Sequence, residues 1–165
     1  MGTIRCMAKR WLPAVTGLFL SLALLLAAAP RAEANPGLRL GLTDDPDTLF
    51  VGFFYEAPLS WAGSGFFAVE PGVDLGFGED VDFFTIRGTV NGKYLIPVGS
   101  VWLYPILGLS IYYVNVDDCP AAADCDDTGA GLNLGLGMRI DRFNMELTAG
   151  IEDVPDVVLN VGFLF

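Results

Sequence analysis

Residues 35–165 predict an all-β fold, eight antiparallel strands joined by turns into an up-and-down barrel. Three observations predict it. No stretch after residue 35 carries helical periodicity with caps. Runs in which large apolar residues alternate with small or polar ones are broken by Gly, Asp, Asn and Pro. The spacing of these runs suits a meander of hairpins and leaves no room for crossovers of a dozen or more residues, which parallel strands need.

The chain before residue 35 is of another kind. Arg5, Lys9 and Arg10 precede an apolar run from Trp11 to Ala29, and Ala32-Glu33-Ala34 supplies small residues around a cleavage point. That is the three-part pattern of a secretory signal peptide over 1–34, leaving 35–165 as the mature chain. A retained membrane helix is the alternative, since about 20 apolar residues can span a bilayer. The small-residue site favours cleavage. No Cys follows the apolar run at the cut, so no lipid-anchored N-terminus is expected.

The predicted strands are 37–43, 48–58, 66–78, 83–98, 101–116, 128–140, 142–151 and 156–165. In the last, Val157, Leu159, Val161, Phe163 and Phe165 share a face opposite Val158, Asn160, Gly162 and Leu164. In 142–151, Phe143, Met145, Leu147, Ala149 and Ile151 oppose Asn144, Glu146, Thr148 and Gly150. In 128–140, Leu132, Leu134, Leu136, Met138 and Ile140 oppose Asn133, Gly135, Gly137 and Arg139. In 83–98, Phe84, Ile86, Val90, Tyr94 and Ile96 oppose Thr85, Arg87, Thr89, Asn91 and Lys93. The runs 48–58 and 101–116 are partly apolar on both faces, and Pro71 interrupts 66–78 by removing a ladder hydrogen bond. The first run is shorter than the roughly 9–11 residues of a membrane-spanning strand, unless it reaches back to Asn35.

A soluble barrel fills its interior with the large apolar row. A membrane barrel turns that row to lipid and keeps the polar row inside. Here the apolar row bears no charge, while the other holds Gly, Thr, Asn and single charges. The charges decide for the second arrangement. Of the 19 acids after residue 34, 14 fall in the first, third, fifth and seventh connections, from Asp44 to Asp47, Glu79 to Asp82, Asp117 to Asp127 and Glu152 to Asp156. The alternate turns hold only Asp141 and Arg142. Strict alternation places all four acidic connections at one end and both termini at the other. The charges that remain, Arg39, Arg87, Lys93 and Arg139 against Glu56, Glu70, Asp74 and Glu146, are balanced and point into the lumen, where an unpaired charge costs several kcal/mol. Aromatic residues gather at two levels. Tyr55, Trp61, Phe66, Phe67, Tyr94, Trp102, Phe143 and Phe165 lie toward the termini, and Phe50, Phe53, Phe77, Phe83, Phe84 and Tyr113 toward the acidic end. Two belts at the two bilayer interfaces are expected of a transmembrane β-barrel.

The segments Leu42-Thr43-Asp44-Asp45-Pro46-Asp47, Leu75-Gly76-Phe77-Gly78-Glu79-Asp80, Leu107-Gly108-Leu109 and Glu152-Asp153-Val154-Pro155-Asp156 through Phe165 resemble small bacterial outer-membrane β-barrel proteins of the OmpA/OmpX-like kind. The likeness covers nearly all of 37–165. It implies an outer-membrane location and an assembly signal in Val157, Leu159, Val161, Phe163 and Phe165, read by the outer-membrane assembly machinery. No peptidoglycan-binding domain, such as some relatives carry, is expected.

Composition excludes several functions. The chain has no His, which removes Ser-His-Asp and Cys-His catalysis and the commonest zinc sites. A formal net charge of −11 excludes a nucleic-acid partner. The lipid-modifying and protease barrels with which the chain invites comparison use a His, Ser110 has no base beside it, and salt bridging accounts for Glu70 and Asp74. No catalytic residue is therefore assigned and no enzyme is expected. Eight strands leave an interior about filled by side chains, so no wide pore is expected.

Cys119 and Cys125 flank five residues in the longest acidic turn. An oxidising compartment favours a disulfide there over two free thiols. Asp117, Asp118, Asp124, Asp126 and Asp127 around them are candidates for Ca²⁺, a hard cation, although their spacing is not that of an EF-hand. Otherwise they form a solvated, self-repelling loop, or a rim that divalent ions bridge to lipopolysaccharide. No other cofactor is expected. The partners expected are membrane lipid, lipopolysaccharide and the assembly machinery, with the barrel a monomer. The functional expectation is a non-enzymatic structural or surface-interaction role that presents acidic extracellular loops. The alternatives are a cation- or ligand-binding surface module and a soluble lipocalin-like periplasmic carrier.

Overall fold

The computed structural model describes residues 35–44, 47–78, 83–116 and 126–165. The leader read at 1–34 lies outside them. Eight strands run in sequence: β1 (Asn35–Asp44), β2 (Thr48–Ala62), β3 (Gly65–Gly78), β4 (Phe83–Val98), β5 (Val101–Val116), β6 (Asp126–Ile140), β7 (Phe143–Glu152) and β8 (Val157–Leu164). Each pairs antiparallel with the next, and β8 pairs antiparallel with β1, closing the barrel. β1 does reach back to Asn35 and is ten residues long, within the span length of a membrane strand. The strand beginning at Thr48 runs four residues further than expected, to Ala62. There a register shift between Pro58 and Ser60 marks a bulge, which carries pairing past a proline.

Turns at the terminus end are two residues long. Gly63, Gly99 and Asp141 open them at φ of 62°, 65° and 55°. Glycine takes positive φ without penalty and Asp is among the few other residues that tolerate it. The β2–β3 ladder skips from Phe54↔Gly72 to Ala57↔Val69, opposite Pro71, and the β4–β5 ladder skips from Lys93↔Ile106 to Ile96↔Leu103, opposite Pro105. Proline has no N–H to give to either.

The apolar row faces outward. Leu40, Leu134, Leu147, Met145 and Val161 are all exposed, whereas Arg39, Glu56, Glu70, Asp74, Arg87, Lys93, Arg139 and Glu146 are buried. A soluble carrier would show the reverse. Among the described residues the one apolar cluster inside is Ala68, Leu95, Tyr104 and Ile106, backed by Phe66 and Trp102 near the termini. Three belt expectations need correction. Phe50, read as an acidic-end belt residue, is 2% exposed and lies inside, and Phe66 and Trp102, read as terminus-end belt residues, pack on the inner cluster. The rest of the terminus-end belt includes exposed Trp61, Phe67, Phe143 and Phe165, with Phe163 joining the last two at ring distances of 5.0 and 5.5 Å.

Large and glycine residues alternate along the hydrogen-bonded rows of the inner face, which is how a narrow barrel accommodates bulky side chains. Arg39 pairs with Gly52, Gly52 with Asp74, and Asp74 with Arg87. Tyr104 pairs with Gly137, and Gly137 with Glu146. Each glycine removes a side chain from between two groups that must touch.

Candidate functional site

The lumen holds a connected charge network. Across Gly52, Arg39 Nε donates to Asp74 Oδ1 at 2.6 Å and Nη2 to Asp74 Oδ2 at 3.0 Å. A Cβ on Gly52 would stand 1.9 Å from that Oδ1, so the contact requires glycine. Arg39 also donates through Nη1 to Glu70 Oε1 at 3.2 Å and through Nη2 to Thr89 Oγ1 at 3.0 Å. Arg87 Nε donates to Asp74 Oδ2 at 2.8 Å. Lys93 Nζ donates to Glu70 and, at 2.5 Å, to Glu146 Oε1, which also accepts from the Tyr104 hydroxyl at 2.9 Å. Six charged groups thus run as one chain from Arg87 to Glu146. Arg139 and Glu56 form a separate pair, with Nη1 donating to Oε1 at 2.9 Å and Nη2 to Oε2.

Every one of the eight charges placed in the lumen from the sequence has a partner of opposite sign. Burial raises the strength of each contact and equally the cost of losing one. Glu70 and Asp74 are joined through Arg39 and do not touch as a carboxylate pair. Ser110 Oγ accepts from Asn133 Nδ2 at 2.5 Å. Sequence reasoning missed the aromatic members: Phe50 lies under the Arg87 guanidinium at 4.8 Å, Phe54 under Arg39 at 5.8 Å, and Tyr104 5.2 Å from Lys93 Nζ. The available signal was parity, since Phe50 and Phe54 alternate in step with Glu56, and Tyr104 with Ser110.

The acidic mouth is partly described. Asp127, Glu152, Asp153 and Asp156 are exposed. The β7–β8 connection folds inward between them. Val154 N donates to the Glu152 carbonyl and Gly150 N to the Asp156 carbonyl, both at 2.9 Å. Val154 is 7% exposed and sits where side chains on Gly131 and Gly150 would be, within 2.9 and 2.7 Å of their Cβ positions. A shallow cavity of about 260 Å³ remains beside it, between Tyr112, Gly129 and Asp153. Of the Ca²⁺ candidates, Asp127 Oδ1 accepts from Thr128 N at 2.9 Å, and Asp126 opens β6. Asp117, Asp118, Asp124, Cys119 and Cys125 lie outside the described residues. Among the described residues no three acidic, Cys or His groups converge to hold a metal ion.

No family model matches the chain, and no curated protein does. Among solved structures it is similar to "Crystal structure of the outer membrane enzyme PagL", with 12% identity, a TM-score of 0.51, and coverage of 79% of this chain and 99% of that one. The likeness lies in the fold: a small barrel of the outer-membrane kind. It narrows the OmpA/OmpX-like resemblance to that coarser statement. It also corrects the expectation that the chain is no enzyme. That expectation treated a small barrel without His as catalytically excluded, yet a barrel of this architecture is an outer-membrane enzyme. Activity resides in sites grafted onto a fold, so this architecture does not exclude it.

Proposed function

We propose that this protein is a lipid-embedded barrel of the bacterial outer membrane. Its interior is sealed by side chains, and its acidic rim faces outward as the surface where divalent cations and lipopolysaccharide headgroups are met. The observation that carries this reading is the inversion of the fold. Charged residues of the strands are buried in ion pairs, while the long apolar row from Leu38 to Phe165 is open to the surroundings. In water such a surface would drive aggregation, and in lipid it is what holds the barrel in place. The likeness to an outer-membrane barrel supports the same placement. Even strand number puts both termini on one side. Secretion through a leader at 1–34 makes that side the periplasm, and a Cys119–Cys125 disulfide in the oxidising compartment would stiffen the rim.

Cell fractionation with heat-modifiable gel mobility tests the reading. The protein should sediment with outer membranes, migrate faster unheated than heated, and lose rim fragments when intact cells are treated with a protease that cuts after Glu and Asp. Recovery in the soluble periplasm without detergent overturns it.

A further inference from the structure

The outer wall is grooved across β2 to β6. A groove of about 540 Å³ crosses it from Leu59 on β2 to Leu134 on β6. Following the curved wall, four strand spacings of about 4.8 Å give an arc of about 19 Å. Two backbone irregularities flank it: the bulge between Pro58 and Ser60, and the break in the β4–β5 ladder opposite Pro105. Its floor is low because Gly92 has no side chain and Pro105 a short one. Phe67 and Tyr94, their rings tilted against each other with centroids 4.7 Å apart, and Leu107 rise around it. Over residues 57–69 and 94–106 there is no Asp, Glu, Lys or Arg. The cation beneath the floor, Lys93, is turned inward onto Glu70 and Glu146.

We infer that this groove holds one acyl chain of a phospholipid from the leaflet on the terminus side, ordered against the wall and slower to exchange than the lipids around it. An elongated, uncharged trough fits a hydrocarbon chain and offers nothing to an ionised headgroup. Its edge nearer the termini carries the Phe67–Tyr94 aromatic pair, at the level at which a lipid's glycerol region meets the interface. On the opposite wall, β7 and β8 keep an unbroken ladder from Phe143↔Phe163 to Ala149↔Val157. The inference rests on the membrane reading above and goes beyond it.

Two glycines on the same outward row of β4 supply the test. A Cβ on Gly92 meets only the Leu107 carbonyl, at 3.4 Å, and a Cβ on Gly88 meets nothing within 4 Å. Gly92→Leu therefore fills the groove, and Gly88→Leu adds the same side chain outside it. The full chain, purified from membranes and exchanged with dioleoyl phosphatidylethanolamine, is released from detergent into a native mass spectrometer. The wild type and Gly88→Leu should each retain one lipid, and Gly92→Leu should retain about tenfold less. Equal retention in all three, no retained lipid in the wild type, or a second protein copy in place of lipid would each overturn the inference. Should Gly92→Leu fail to fold, Leu107→Ala, which lowers one wall, should show the same loss, and undiminished retention there also overturns it. Heat-modifiable mobility is read on every sample. If the wild type lacks it, the membrane reading itself has failed, whereas its presence with unselective lipid retention removes only the groove.

Discussion

Arg139 on β6 grips Glu56 on β2 through both terminal guanidinium nitrogens, across the full width of the lumen and 83 residues apart in sequence. Both side chains are buried. Removing one partner leaves the other charge without water or counter-ion. Arg139→Met or Glu56→Met should therefore lower folding stability in lipid vesicles by about 3–5 kcal/mol. Replacing both by Met should recover most of that loss, because the desolvation penalty disappears along with the attraction. Urea titrations of the four proteins in vesicles check the cycle. Equal, independent losses that simply add in the double variant would mean that the pair contributes no coupling.

Glycine at 137 makes a different contact possible. Its absent Cβ would lie 2.1 Å from Tyr104 Cε2, on the path by which the Tyr104 hydroxyl reaches Glu146. Gly137→Ala should cost about 1–3 kcal/mol through overpacking. Gly88→Ala, on the open outer face, should stay within about 0.5 kcal/mol of the wild type. Adding Tyr104→Leu to Gly137→Ala should restore part of the loss. The same vesicle titrations read all three, and an unchanged midpoint for Gly137→Ala would show that the ring moves aside at no cost.

How far these features were legible from sequence depends on what each one needs. Strand number, the inward row and the eight lumen charges follow from period-2 alternation, which is local; Leu132, Leu134 and Leu136 against Asn133 and Gly135 leave little choice. Phe50 was misplaced because Phe50, Phe53 and Phe54 put the same residue on both faces, so local pattern is ambiguous there. Which charge meets which was not legible at all. Arg139 finds Glu56, and Lys93 finds both Glu70 and Glu146, through the register and closure of the barrel, which no single strand encodes. The role of Gly52 and Gly137 as spacers depends on the same register. The inward turn of Val154 was hidden for another reason: its connection reads as an acidic loop, and only glycines on neighbouring strands reveal the space that it fills.

Depth in the bilayer gives a third expectation. Leu40 is 61% exposed in the middle of β1, and Phe143 is 60% exposed at the start of β7. Near the bilayer midplane an outward Arg costs about 2–4 kcal/mol, and near the interface about 0–1. Leu40→Arg should thus destabilise the barrel in vesicles far more than Phe143→Arg. A wall that faced water would tolerate both, so the difference between the two midpoints is the quantity to measure.

The lumen is obstructed at three levels, and conduction should reflect all of them. Leu95, Tyr104 and Ile106 close it toward the termini, the ion-pair chain from Arg87 to Glu146 fills the middle, and Val154 turns inward near the mouth. Eight strands leave space for side chains and little more. In a planar bilayer the wild type should therefore pass no steady current. Val154→Gly should pass none either, because the layers beneath the mouth remain. Opening a path requires thinning every layer: Lys93→Ala with Glu146→Ala should pass none while Leu95, Tyr104 and Ile106 stand, and brief, irregular current steps should appear only when Tyr104→Ala and Val154→Gly are added to that double variant. Stable steps in the wild type would mean that the packed interior rearranges in lipid and that the sealed-barrel account is wrong.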